Sequence, residues 1–331
     1  MTCSDISGLH HVGMVVRDLN AAIATFRHLG FHIRPPAYPA LPPAPGAEPE
    51  PLGAGNTHAD FTRSFIELLA PVPDDRRLLP ADATLTVLEV PDDQLSAART
   101  AIRRTVDGVV ERLDRFEGAH ILVFTSSAIE QTVARLDGAD VAHAGARAMQ
   151  RPVTTAGGTR LEAIMHVEVH ADAPAAMPRM PSEGRVGIVQ DAPPAALDAQ
   201  TDLDHPNGAL ALSECVLTVD DGDRGPVVHR YERLLGLRAQ HDADTSGFDL
   251  GGSRLTITTP SAFSARLPGE RALDTPALGA YTVDVADLRA TELLLSSRGI
   301  PTRRAAGGEL FIPGDVAHGT PLMFRQAQQV T

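Results

Sequence analysis

The run MHVEVH in this 331-residue sequence contains three ionisable side chains, and in it His166, Glu168 and His170 alternate with apolar residues. This period-two spacing places the three side chains on one face of a strand, where they look like a metal triad. Successive side chains on one strand face lie roughly 6.5 to 7 Å apart, so three in a row rarely converge on one ion. We interpret the run as a polar face, with His166 or Glu168 as candidates to line a substrate cavity.

Three further residues are candidates for binding a substrate. Arg160 and Glu162 precede the MHVEVH run in the same predicted strand, TRLEAIMHVEVH. His58 lies just before another predicted strand, FTRSFIELLAP, and reaches a ligand only if the loop that carries it faces the cavity. The alternative for His58 is a surface position.

These side chains belong to a local pattern that occurs four times: an apolar strand, a polar turn, an amphipathic helix that ends in Gly, and further strands. In the first copy, His11, Gly13 and Val15 share one strand face. Asp18 is suited to begin the helix and Gly30 to end it. The four copies open at residues 9–31, 119–141, 211–237 and 278–300.

The repeated pattern predicts an α+β fold built from four βαβββ modules, at residues 8–75, 117–191, 209–262 and 276–326. A Pro/Ala/Asp-rich stretch at 192–206 separates the halves, so we expect two domains, at 1–198 and 207–331. Residues 93–116 have helical periodicity and predict a helix that bridges the first two modules. Residues 35–55 are so rich in Pro and Gly that we expect a loop without regular structure, over one end of a sheet.

The composition excludes several classes of protein. A formal charge of -13 without a basic run argues against a nucleic-acid partner. The chain has no apolar run of membrane-spanning length and no signal peptide, so we expect a cytoplasmic protein that does not bind membranes. Its two cysteines, Cys3 and Cys215, fit no disulfide or zinc pattern.

The segments LHHVGMVVRDLNAAIATFRHLGF, FIELLAP and AHILVF, in this order, resemble the vicinal oxygen chelate superfamily, and its glyoxalase-like-domain proteins in particular. DHPNGALALSECVLTVDD is similar to the junction between paired modules in longer members. The resemblance covers nearly the whole chain. It implies that two modules pair into a cupped, incomplete barrel, with metal ligands that project inward from equivalent strands.

Carried over residue by residue, the resemblance assigns His11 as the first-strand ligand of module one and Glu67 as its last-strand ligand. His120 is the matching first-strand ligand of module two. The fourth ligand is Gln190, or Asp191 if the strand register shifts by one residue. Such a set suits one divalent ion of zinc, iron, nickel, cobalt or manganese, with positions open for substrate oxygens.

The second half departs from this ligand pattern. Its matching positions hold residues that make no hard-cation site: Ser213 or Glu214, Thr256, Ala280 or Tyr281, and Met323. We therefore expect a metal-free copy that stabilises the first half, closes its pocket or mediates the formation of a homodimer.

Three functions fit these residues. The favoured one is a metal-dependent isomerase, epimerase or lyase, in which Glu67 removes a proton next to a metal-bound carbonyl of a small oxygen-rich metabolite. The second is an extradiol-type dioxygenase, which is disfavoured because the second half lacks ligands. The third is a protein that sequesters a small metabolite, which is disfavoured because aromatic residues make up only 4% of the chain.

Overall fold

The computed structural model describes residues 4–171 and 180–328. In the first half the strands are β1 Ile6–Val15, β2 Ala37–Leu41, β3 Glu50–Pro51, β4 Ala54–Asp60, β5 Phe65–Pro71, β6 Thr84–Val87, β7 Gly118–Ser126, β8 His143–Thr155, β9 Gly158–Val169 and β10 Arg185–Gln190. In the second half they are β11 Ala209–Thr218, β12 Gln240–His241, β13 Thr245–Asp249, β14 Arg254–Thr258, β15 Ala277–Val285, β16 Arg303–Arg304, β17 Leu310–Ile312 and β18 Leu322–Gln326.

The helices are α1 Leu19–His28, α2 Leu95–Arg115, α3 Ile129–Gly138, α4 Pro194–Asp198, α5 Arg224–Leu235, α6 Pro260–Arg266 and α7 Leu288–Ser297, with a 3-10 turn at Arg76–Leu78. Helix α2 is the predicted bridge between the first two modules. None of the helices in the described part of the chain is long and apolar enough to cross a membrane.

The strands form two mixed sheets, one in each half of the chain. The first has the order β3-β2-β4-β5-β1-β7-β10-β9-β8, with β6 beside β2, and the second has the order β12-β13-β14-β11-β15-β18-β17-β16. In each sheet the first strands of two modules meet at the centre as an antiparallel pair. The predicted α+β fold of paired βαβββ modules is therefore confirmed.

Helix α1 begins after Asp18 and ends before Gly30, as the sequence predicts. The Asp18 carboxylate accepts a hydrogen bond from the backbone N–H of Ala21 and caps the first turn. Gly30 follows the helix with a φ of +91°, which a residue with a side chain rarely adopts. A side chain there would also meet Asn207, so glycine serves both the turn and the contact between halves.

The DHPNGA segment joins the two halves through hydrogen bonds. The Nε2 atom of His205 lies 2.9 Å from the carbonyl oxygen of Asp60. Asn207 donates its side-chain amide to the carbonyl of Leu29 at 3.1 Å. The side chains of this segment therefore provide hydrogen-bond partners for buried backbone carbonyls between the halves.

The Pro/Gly-rich stretch at 35–55 is more ordered than predicted. It contains strands β2 and β3, which add to one edge of the first sheet. The ring of Tyr38 is buried, and the carbonyl of Pro39 accepts a hydrogen bond from the N–H of Leu52. Proline is compatible with strands near a sheet edge, where the missing N–H costs few ladder bonds. The expectation of a loop without regular structure was therefore wrong.

Candidate functional site

The concave face of the first sheet is built from side chains that lie in register across neighbouring strands. One row crosses β4, β5, β1, β7 and β10 through His58, Glu67, Gly13, Ile121 and Arg185. Cross-strand partners point to the same side of a sheet, so these residues share one face, which we take as the candidate substrate cavity. Gly13 adds no side chain, and the side chains of Ile121 and Glu67 take up the space beside it.

A second row lies one pleat away on the same face. It runs through Asp60, Phe65, His11, Val123 and Gly187. His11 and Glu67 are therefore diagonal neighbours on β1 and β5. Their Nε2 and Oε2 atoms lie 3.8 Å apart, with side chains 13% and 11% exposed.

Glu67 is held in place from two sides. Its Oε1 atom accepts a hydrogen bond of 2.9 Å from the side-chain amide of Asn56. A Cβ atom on Gly13 would lie 2.9 Å from Glu67 Oε2 and 2.7 Å from Ile121 Cβ. The site therefore needs glycine at position 13 to give the carboxylate room.

Behind His11 lies a chain of buried polar groups. The Nδ1 atom of His11 is 2.8 Å from Nδ1 of His10, and Nε2 of His10 is 3.1 Å from Oδ2 of Asp191. Arg151 forms an ion pair with the same Asp191 oxygen. Strict alternation along β1 would place His10 on the face opposite His11, but the irregular pairing of β1 between Leu9 and His11 brings it into this network.

These contacts assign the tautomer of His11. Burial would raise the pKa of Asp191, but its hydrogen bonds to His10 and to the backbone of Ala192, together with the charges beside it, outweigh burial and lower that pKa. The carboxylate therefore stays ionised and only accepts hydrogen bonds. Burial lowers the pKa of both His10 and His11, so both rings are neutral. His10 then donates from Nε2 to Asp191 and accepts at Nδ1 from His11. The Nε2 atom of His11 is left with a lone pair beside Glu67.

The other acidic and aromatic groups of the cavity are already engaged. Asp60 forms an ion pair with Arg34, and His58 Nδ1 lies 3.7 Å from the second Asp60 oxygen. The ring of Phe65 stacks on His11 at 4.4 Å and on His58 at 4.3 Å. His58 lies on strand β4 rather than in a loop, and the phenyl ring separates it from His11.

His120 occupies a different environment from His11. The pairing of β1 with β7 passes from Ile121 to Ala119, so His120 is an extra residue in a bulge. Its Nε2 atom is 2.9 Å from the carbonyl oxygen of Phe116, and the Phe116 ring stacks on it at 4.2 Å. Burial lowers the pKa of His120 to about 4.

Ile121 holds the place in module two that His11 holds in module one. Helix α1 begins at Leu19, eight residues after His11, and α3 begins at Ile129, eight residues after Ile121. Counting back from the helices would have revealed this from the sequence. When AHILVF and LHHVGM are aligned on their histidines, His120 takes the place of a β1 histidine. In the fold the two strands correspond when they are aligned on the helices that follow them, and Ile121 then matches His11.

The fourth predicted ligand, Gln190, faces α3. Its Oε1 atom accepts a hydrogen bond of 2.8 Å from the backbone N–H of Ile129 and so caps that helix. The module-two equivalent of Glu67 is Gly187, because Val123 pairs with Gly187 as Gly13 pairs with Glu67. The alternative ligand, Asp191, is the acceptor for His10 and Arg151.

The donors that surround the cavity do not fit an ion held by four protein ligands. His11 and Glu67 face one point, but their module-two equivalents, Ile121 and Gly187, offer no donor atom. Among residues 4–171 and 180–328, no group of three or more His, Cys, Asp and Glu side chains is arranged to hold a metal. The structure thus brings together two of the four predicted ligands.

The remaining predicted substrate residues lie on the β8–β9 hairpin. His166 faces the cavity above Gly187, where a Cβ atom would lie 2.8 Å from its Nε2 atom. Burial, followed by the charge of Arg185, lowers the pKa of His166 to about 4. Glu162 pairs across the hairpin with Arg151, whereas Arg160 is exposed near its tip.

In the second half, the positions equivalent to His11 and Glu67 hold Glu214 and Thr256. Arg266 donates from both terminal nitrogens to the Glu214 carboxylate, at 2.8 and 2.6 Å. Thr256 donates its hydroxyl to the same carboxylate at 2.6 Å. The Glu214 carboxylate is therefore already paired inside the second half.

Helix α6 covers the concave face of the second sheet. Its Phe263 side chain and the following Leu267 pack against the sheet residues Val216, Ala280 and Met323. The two halves share the fold. In the first half polar groups share this face with an apolar cluster that includes Ile121, Val123 and Leu113 of α2. In the second half apolar packing covers the matching face.

Comparison with known proteins supports this description. The family model of the glyoxalase-like domain matches residues 9–235. A hypothetical protein from Staphylococcus aureus has a similar structure, with a TM-score of 0.58 and 10% identity, over 96% of this chain and 99% of that chain. A triple mutant of 4-hydroxymandelate synthase from Streptomyces coelicolor has a TM-score of 0.51 and 16% identity, over 99% of this chain and 95% of that chain.

A fusion protein of a xylose isomerase-like TIM barrel and 4-hydroxyphenylpyruvate dioxygenase is also similar, with a TM-score of 0.51 and 10% identity. The match covers 99% of this chain and 50% of the fusion protein. At these identities the likeness concerns the fold alone. A search of curated proteins gave no match. The family match over most of the chain, together with the paired βαβββ modules, shows that the chain belongs to the glyoxalase-like domain family of the vicinal oxygen chelate superfamily.

Proposed function

We propose that this chain is an enzyme that moves a proton on a small, oxygen-rich carbonyl compound at the concave face of the first sheet. The observation that carries the proposal is the environment of the Glu67 carboxylate, whose side chain is 11% exposed. Among the described residues it has no guanidinium partner, whereas Asp60 and Asp191 each have one. A buried carboxylate that no guanidinium neutralises is available to accept a proton.

The chemistry follows from the two lone pairs that face the cavity. With a substrate C–H next to a carbonyl placed at Glu67 Oε2, the C–H bond breaks, the proton moves to the carboxylate and the electron pair moves to the carbonyl oxygen. Return of the proton to the same carbon from the other face gives an epimer. An isomer forms when the hydroxyl proton moves to the former carbonyl oxygen, a new C=O bond forms at the hydroxyl-bearing carbon and the abstracted proton returns to the former carbonyl carbon. If a leaving group on the adjacent carbon departs with its electron pair instead, a C=C bond forms and the reaction is that of a lyase.

His11 supports this step as a hydrogen-bond acceptor. Its Nε2 lone pair, 3.8 Å from Glu67 Oε2, is placed to accept a hydrogen bond from a substrate hydroxyl next to the reacting carbon. An α-hydroxy ketone matches both groups. His10 and Asp191 are positioning residues, because they act through His11.

We assign no step to a metal ion, since two of the four predicted donors lie elsewhere. The divalent ion stays a separate prediction, with His11 and Glu67 as the two residues that could share it.

Solvent exchange tests the proposal. Wild-type protein is incubated in D₂O with a panel of α-hydroxy ketones, and deuterium at the carbon next to the carbonyl is followed by NMR. We expect exchange with at least one compound, and a fall of about 10² to 10⁴ in its rate in Glu67→Gln. Glu292→Gln, which removes a surface carboxylate paired with Arg304, is the control and should match wild type.

Three outcomes would contradict the proposal. Exchange at the wild-type rate in a folded Glu67→Gln variant would exclude Glu67 as the base. A requirement for O₂ would favour an oxygenase. Tight binding of a compound without exchange would favour a protein that sequesters its ligand.

A further inference from the structure

The DHPNGA segment between the two halves holds a buried histidine, His205, whose two ring nitrogens both contact backbone atoms. The backbone N–H of His32 donates to Nδ1 at 2.9 Å, and Nε2 lies 2.9 Å from the carbonyl oxygen of Asp60. A backbone N–H only donates, so Nδ1 must offer a lone pair, and a carbonyl only accepts, so Nε2 must carry the proton. These contacts fix His205 as a neutral ring in a single tautomer.

The two backbone partners of His205 lie on segments that frame the candidate site. His32 follows α1 and its turn, and two residues later Arg34 forms an ion pair with the Asp60 carboxylate. Asp60 is the last residue of β4 and belongs to the row that contains His11. The imidazole therefore ties the segment after α1 and the end of β4 to the chain that leads into the second half.

This ring has no room for a second proton where it lies. His205 is 8% exposed, and the rings of Phe31 and Phe61 pack against it with centroid distances of 5.6 and 5.2 Å. A proton added at Nδ1 would point at the N–H of His32, so the hydrogen bond would become a contact between two donors. Burial also disfavours the charged ring and lowers the pKa of His205. A charged His205 must therefore leave its place.

The charges around His205 do not remove this conflict. Charged and titratable side chains lie on the segments packed against the ring: His32, Arg34, His58, Asp60, Asp202 and Asp204. The charges of Asp60 and Asp204 favour an imidazolium, whereas that of His32 opposes it. These charges are weaker than the effect of burial, so the pKa of His205 stays below its ordinary value.

We propose that His205 is a pH-sensitive switch, which holds the segment after α1 and the end of β4 while its ring is neutral and releases both when the ring is protonated. A released histidine has a pKa of about 6.5. Because the bound ring has the lower pKa, its contribution to the closed state is complete above about pH 6.5 and is lost as the pH falls below that value. Since Asp60 belongs to the candidate site, acid should loosen that edge of the site.

Amide hydrogen exchange at His32 tests the switch without a substrate. The protection of this amide, corrected for the intrinsic pH dependence of exchange, is measured by NMR between about pH 8 and about pH 5. We expect constant protection above about pH 6.5 and a fall of up to about tenfold per pH unit below it, because one proton binds on release.

A second amide at the same junction provides an internal reference. The N–H of Leu212 donates to the hydroxyl of Ser64 at 3.0 Å, a contact without a titratable side chain, so its protection should not change. Equal losses at His32 and Leu212 would overturn the switch in favour of a general opening of the junction in acid.

Two variants separate the roles of the two nitrogens. In His205→Asn the side-chain oxygen takes the place of Nδ1 and accepts from His32 without titrating, so the protection should no longer depend on pH. In His205→Gln the amide can reach the Asp60 carbonyl but offers no acceptor in place of Nδ1, so the protection should be low at every pH. His229→Asn, which removes a histidine whose side chain is 72% exposed, is the control and should behave as wild type.

Three further results would overturn the proposal. Equal protection of the His32 amide in wild type at both ends of the pH range would show that acid does not release the ring. A pH dependence that persists in His205→Asn would assign the effect to another group. The ring ¹⁵N spectrum of wild type needs no variant: a proton on Nδ1 of His205 at neutral pH would contradict the tautomer that the contacts require.

Discussion

Gly187 stands in the second module where Glu67 stands in the first. Gly13 pairs with Glu67 and Val123 pairs with Gly187, so the two positions are equivalent in the paired modules. The space that a side chain at position 187 would fill is taken by His166, whose Nε2 atom would lie 2.8 Å from its Cβ. The cup is therefore chemically asymmetric, with a carboxylate on one side and a neutral imidazole on the other.

Replacement of Gly13 by alanine tests the close approach of β1 and β7. The new methyl group would meet Cβ of Ile121 at 2.7 Å, on the stem of a β-branched side chain that has little freedom to move. We expect a loss of about 1 to 3 kcal/mol in the free energy of unfolding, measured in urea. Gly138→Ala is the control, because that helical glycine has no atom within 4 Å of a new Cβ, and it should be neutral or stabilising. Equal stability of Gly13→Ala and wild type would contradict the packing described.

The buried ion pair of Asp191 should matter far more than an exposed pair of the same type. Asp191→Ala leaves Arg151 and His10 without their acceptor in a region where the Asp191 side chain is 4% exposed. We expect a cost of about 3 to 5 kcal/mol. Asp198→Ala breaks the exposed ion pair with Arg63. The side chains of Arg63 and Asp198 are 52% and 56% exposed, so the loss should be below about 1 kcal/mol. Similar losses in the two variants, measured by urea denaturation, would argue against the buried network.

Stability should fall in acid through Glu214. Burial would raise the pKa of Glu214, but the hydrogen bonds and charge of Arg266 outweigh burial and hold that pKa below its ordinary value. A lowered carboxylate pKa stabilises the fold above the unfolded pKa of about 4.3, and this contribution is lost as the pH falls towards the folded pKa. Denaturation between about pH 7 and pH 3 should show a shallower acid decline for Glu214→Gln than for wild type. Parallel pH profiles would contradict this role.

Metal analysis separates the roles of two histidines. Any divalent ion that copurifies with the protein should depend on His11 and Glu67, whose donor atoms face each other. His11→Ala should therefore lower the occupancy, whereas His120→Ala should leave it unchanged and lower the stability by about 0.5 to 3 kcal/mol, since His120 is buried against Phe116. Loss of the ion in His120→Ala, with the fold intact, would restore the four-ligand set that the resemblance predicts.

Local signals in the sequence predicted much of the fold. The cap at Asp18 and the turn at Gly30 depend on short-range backbone chemistry, and they appear where the residue types indicate. The long helix α2 follows from helical periodicity. The stretch at 35–55 was misjudged because its strands are stabilised by pairing with distant strands, which local composition does not report.

The sequence by itself determined the modules and their order, because repeated patterns and strand alternation are properties of short segments. The grouping of His11 with Glu67 came from the resemblance to the vicinal oxygen chelate superfamily, not from these patterns. Only the tertiary structure decided the rest of the site. The bulge at His120 depends on how β7 packs against β1, and one extra residue moves a side chain out of line. The contacts of Arg185, Arg151 and Asp191 join residues far apart in the chain, and their partners depend on how the sheet folds them into one cavity.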